Sequence, residues 1–153
     1  MKWLFALETE DDLIVLCRLM NTFRRKGVKP QTLAIQSSAG GYDVVVMLEA
    51  REHESEHHFH FLRRTEGVRH VTVYRENPDQ PASYVFVEEQ SSSSQPSDWA
   101  QLVPGSRTIF ASLGKVLLEI PATHDTRVAI THPGSVLFAL AKSTRDFSAA
   151  PPE

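Results

Sequence analysis

Between Trp3 and Arg75 short runs of alternating apolar residues are interleaved with two longer stretches of helical spacing, and few folds accept that order. The first run, Trp3 to Thr9, sets Trp3, Phe5 and Leu7 on one side, as a strand with one buried face would. A helix is expected at once. Thr9, Asp11 and Asp12 offer capping oxygens and negative charge to its start, and Leu13, Leu16, Leu19, Met20 and Phe23 recur at steps that gather on one face. Arg24, Arg25 and Lys26 fill its last turn, and Gly27 stands where a left-handed residue would stop it. Gln31 to Ser38 and Tyr42 to Ala50 flank Ala39-Gly40-Gly41, a hairpin signal. In the second of these runs Tyr42, Val44, Val46 and Leu48 share a face, while Val45 and Met47 sit on the otherwise polar one and imply a cover. Arg51 to Glu66 reads as a second helix with Phe59, Leu62 and part of His58 or Thr65 inward and Gly67 ending it, and Val68, Val71, Val73 and Tyr74 supply a last strand.

The order strand, helix, strand, strand, helix, strand predicts an α+β chain with a ferredoxin-like βαββαβ domain over residues 1–76, an antiparallel sheet with both helices on one side. Pro78 and Pro81 close it. Residues 77–106 read as a linker holding one strand, Ser83 to Glu89, and the tract Ser91 to Ser97, too polar to offset its ordering entropy. Short apolar runs then predict a small, mostly β extension over 107–142: Thr108–Leu113, Lys115–Ile120, Arg127–Thr131 and Ser135–Ala141, the last of which helical spacing fits equally well. Residues 143–153 read as a frayed tail.

Charge and composition exclude several classes of function. A net charge of -3 gives no electrostatic reason to bind nucleic acid or an anionic membrane, and no apolar run approaches the ~20 residues of a membrane span. The single cysteine, Cys17, precludes an internal disulfide, and its place beside Leu13 and Met20 predicts a buried, inert thiol. The apolar stretch at the N-terminus is too short for a secretory signal, so the cytoplasm is the expected compartment.

The run from Leu16 to Leu33, centred on Phe23-Arg24-Arg25-Lys26-Gly27-Val28, resembles a segment of ACT domains, above all those of acetolactate synthase small subunits. There a helix ends in a basic pair and a glycine before the second strand. The resemblance extends over residues 3–75 and implies a regulatory module that forms a homodimer and holds an amino acid at the subunit interface. The family's ligand loop, between first strand and first helix, carries Asn, one further residue, Pro and Gly. Laid on the basic anchor without gaps, the ligand loop here is Asp11, Asp12, Leu13 and Ile14, with Asp11 at the Asn, Leu13 at the Pro and Ile14 at the Gly. A β-branched residue blocks the close backbone approach that the glycine allows, and Asp11 repels a ligand carboxylate. The site is therefore expected to be degenerate.

The second helix carries His53, His57 and His60 at spacings that share a side, with Glu56 nearby, a pattern that could hold zinc or nickel. The favoured reading is a solvated polar face, since one straight helix rarely wraps a metal without ligands from a second element. A hydrolase would need Ser112 or Ser135 with His124 or His132 and Asp125, but Phe110-Ala111-Ser112-Leu113-Gly114 lacks the first glycine of a nucleophile elbow. No catalytic set and no cofactor are expected. The leading expectation is a non-catalytic, dimeric ACT-like regulatory or interaction module. The alternatives are an amino-acid-binding regulatory subunit with a catalytic partner in branched-chain biosynthesis, and a small enzyme with its site in the C-terminal half.

Overall fold

The structure, a computed structural model, describes residues 1–77, 80, 82–88, 105–112, 115–121 and 135–143. Within them the chain is mixed α and β, with two helices and antiparallel strands, in two units built on Met1–Arg75 and Glu76–Lys142. The first unit runs β1 (Lys2–Thr9), α1 (Leu13–Lys26), β2 (Thr32–Ser38), β3 (Gly41–Glu49), α2 (Glu52–Arg63) and β4 (Val68–Glu76). Its strands lie in the order β2-β3-β1-β4, every pair antiparallel. The register sets Phe5 opposite Val46 and Val73, and Leu7 opposite Val44 and Val71. These side chains, with Trp3 and Leu48, pack under Leu19 and Phe23 of α1 and Phe59 and Leu62 of α2. Burying each such side chain contributes about 2 kcal/mol. Trp3 also donates its indole N–H to the Ala50 carbonyl at 3.1 Å, so its one polar atom is satisfied in the core.

Helix α1 begins and ends as its sequence predicts. Asp12 is the N-cap, and Gly27 adopts φ 65°, the left-handed conformation. Val28 N–H reaches the Phe23 carbonyl at 2.9 Å and Gly27 N–H the Arg24 carbonyl at 3.3 Å, a Schellman closure. The buried face is rotated from the expected one. Val15, Leu19, Thr22 and Phe23 are buried, whereas Leu13 and Met20 are 64% and 41% exposed, and Cys17 is exposed beside them rather than buried. At about 100° per residue, Leu13, Cys17 and Met20 fall together on the side away from Val15 and Thr22.

Gly67 does not stop α2, which ends at Arg63 with Arg64, in right-handed conformation, as its C-cap. Gly67 instead takes φ 92° where the backbone runs against α1, so close that a Cβ would overlap a methyl of Val15. Val45 and Met47, on the face of the sheet away from that core, are buried within the single chain, at 7% and 2% exposure.

The second unit contains β5 (Tyr84–Glu88), β6 (Arg107–Ser112), β7 (Lys115–Glu119) and β8 (Ser135–Lys142), in the order β8-β5-β7-β6 and antiparallel. The strand expected inside a linker is thus paired on both sides, and the last apolar run is a strand. Val85, Val87, Val116, Leu118 and Ile120 form a small core of their own. The serine tract 91–97, the run 127–131 and positions 144–153 lie outside the described residues. Among the described residues no helix is long and apolar enough to cross a membrane.

Candidate functional site

The turn from β1 into α1 is where the family resemblance sets a ligand. Asp11 is exposed in the turn, Asp12 is the N-cap, and Leu13 and Ile14 open the helix with their side chains exposed. Three backbone donors of this turn are already engaged. Ile14 N–H donates to the Asp12 carboxylate at 2.9 Å, Val15 N–H to the Asp12 carbonyl at 3.1 Å, and Glu10 N–H to the Gly67 carbonyl at 2.9 Å. A ligand carboxylate would need such donors, and Asp12 puts its own carboxylate in that place. Two of the four positions, Asp12 and Ile14, thus form the helix cap.

Helix α2 opens differently: Arg51 N–H donates to the Glu54 carboxylate at 2.8 Å, and that bond holds the Glu54 carboxyl below the usual carboxylate range. The helix carries four histidines in two settings, His53 and His57 exposed, His58 and His60 half-buried. The His58 ring meets Phe61 edge-on at 5.4 Å and Phe5 at 6.5 Å between centroids. Burial, and then the neighbouring His57, push the His58 imidazole below its ordinary value of 6.5. Nδ1 of His58 and Nε2 of His60 are buried with no hydrogen-bond partner among the described residues. Also among the described residues, no group of three or more His, Cys, Asp or Glu is placed to hold a metal ion. His53, His57 and His60 are strung along the axis, the outer two about 10 Å apart at the rise of an α-helix, too far for one ion.

Between α1 and α2 opens a cleft of about 770 Å³, lined from one side by Arg18, Thr22 and Arg25 and from the other by His57, His60 and Arg64. The sequence alone places Arg24, Arg25 and Lys26 at a helix end and gives Arg18 and Arg64 no role. What brings them together is the packing of the two helices, and the signal in the sequence is only that both helices end in basic residues. His124, Asp125 and His132 lie outside the described residues, as do the side chains of Ser112 and Ser135.

No family model matches the chain. No curated protein matches it either. Among solved structures the chain is similar to the crystal structure of the acetolactate synthase small subunit from Thermotoga maritima, at 14% sequence identity and a TM-score of 0.47, covering 95% of this chain and 99% of that one.

Proposed function

We propose that the chain is a non-catalytic ACT-like regulatory or interaction module: a ferredoxin-like βαββαβ domain with a β-rich extension, acting as a homodimer and carrying a degenerate amino-acid site. The strand order β2-β3-β1-β4, with α1 and α2 packed on one core, supports the ferredoxin-like reading. The basic helix end closed by Gly27 supports the ACT-like one. The observation that carries the degeneracy is the hydrogen bond from Ile14 N–H to the Asp12 carboxylate at 2.9 Å. It fills with the chain's own anion the position a free amino acid's carboxylate would take, and Asp11 adds a second negative charge beside it. Calorimetry with valine, leucine and isoleucine is expected to show no binding below about 1 mM. Micromolar affinity for any of them would instead favour the amino-acid-sensing subunit, and co-purification with a large thiamine-dependent synthase would identify its catalytic partner.

Dimerisation draws its support from a different surface than the sequence suggested. Val45 and Met47 are already buried in one chain, so they offer nothing to a second copy. Leu13, Ile14 and Met20 on α1 and Leu33 and Ile35 on β2 are exposed large apolar side chains. Leu33 and Ile35 stand directly opposite Val46 and Val44, on the helix-bearing side of the sheet, and β2 closes the strand order of its unit. Apolar side chains on an edge strand and on a neighbouring helix are the surface a second copy can cover.

A further inference from the structure

We propose that the cleft between α1 and α2 binds a small, multiply charged phosphate compound, of the class shared by inorganic polyphosphate and nucleoside triphosphates. This goes beyond the function proposed above and does not rest on it, because the cleft and the α1 cap have no residue in common.

Five cationic side chains converge on the cleft, Arg18, Arg24, Arg25, Lys26 and Arg64, against one acid, Glu66. The chain as a whole carries -3, so this concentration runs against its average. Helix-dipole complementarity accounts for Arg24, Arg25 and Lys26, which sit at the negative end of α1. It accounts in the same way for Arg64, the C-cap of α2, but not for Arg18, a mid-helix residue, and it does not require the two helix ends to face one hollow. Glu66 engages Arg18 alone, at 3.4 Å and largely in solvent, a pairing worth little. Arg24, Arg25, Lys26 and Arg64 form no ion pair among the described residues. Holding these like charges together is unfavourable unless an anion neutralises them, and arginine forks match phosphate oxygens two at a time.

His60 is the second observation. It lines the cleft, and its Nε2 is buried with no hydrogen-bond partner among the described residues. A buried polar nitrogen without a partner gains one if rotation of the ring brings it to a phosphate oxygen in the occupied cleft. A volume near 770 Å³ exceeds what a triphosphate fills and leaves room for a nucleoside against the Phe61 ring. An acidic peptide would be better served by cations strung along an edge; here two helices bring them to one hollow.

The test is calorimetry on the full chain at about 50 mM salt without divalent metal, with sodium tripolyphosphate and ATP as probes. Tripolyphosphate is expected to bind with a Kd of about 10 µM, and Arg25→Glu with Arg64→Glu to weaken it at least tenfold while circular dichroism stays unchanged. Arg63→Glu, exposed on α2 but outside the lining, is expected to change Kd less than about twofold. If charge reversal unfolds the chain, Arg25→Gln with Arg64→Gln takes its place, with an expected loss of at least about fivefold. ATP binding more tightly than tripolyphosphate makes a nucleotide the ligand, and the reverse makes it an inorganic polyphosphate. A Kd above about 1 mM for both probes, or an equal loss from Arg63→Glu, overturns the proposal. So does hexaglutamate binding as tightly as tripolyphosphate, which would make the cleft a docking site for an acidic segment.

Discussion

At Gly67 two separate demands meet. Its φ of 92° disfavours any side chain, and the methyl that alanine would add overlaps Val15 of α1. Gly27 has a comparable φ of 65° but open space around its missing Cβ. The pair separates backbone strain from steric contact. Gly27→Ala is expected to cost about 1 kcal/mol and Gly67→Ala about 3 kcal/mol in urea unfolding, the difference being the displaced packing against α1. Equal costs at the two positions would refute the contact. Adding Val15→Ala to the Gly67 variant is expected to cost less than Val15→Ala costs alone, because it removes the methyl that the Gly67 substitution overlaps.

Among the elements, α1 shows both the reach and the limit of the sequence. Its ends were legible because capping is local: Asp12 precedes the apolar run and Gly27 follows the basic turn. Its inward face was not, because Leu13, Ile14, Val15, Leu16, Leu19, Met20 and Phe23 spread around most of the wheel and several phases fit equally well. Only the sheet beneath, with Phe5, Val46 and Val73 side by side, selects Leu19 and Phe23. The candidate sites divide the same way. A cap that occupies the expected ligand loop is written in neighbouring residues, whereas the cationic cleft depends on residues from two helices separated by a hairpin. The hairpin itself was legible from its glycines, and the partial burial of His58 from its place beside Phe59 and Leu62 on the second helix. That burial has a pH signature. With its folded-state value below 6.5, His58 contributes stability that is complete above the ordinary imidazole value and is lost as pH falls through the folded one. Midpoints of thermal unfolding are therefore expected to drop between about pH 7.5 and 5.5, and His58→Phe, which fills the same space without a titrating group, to flatten part of that drop. Identical slopes for parent and variant would remove His58 from the account.

For the molecule as a whole, the exposed apolar residues of α1 and β2 predict the mass. Light scattering at micromolar concentration is expected to give twice the chain's 17.2 kDa, and Met20→Glu with Ile35→Lys to return it to one chain mass. A parent protein that scatters as a monomer would end the homodimer proposal, while leaving the fold and the cleft untouched. The chain has no other cysteine than Cys17, and that thiol is exposed beside Leu13 and Met20. One dye or spin label per chain can thus be attached without any substitution, already sited on the patch whose partner is in question.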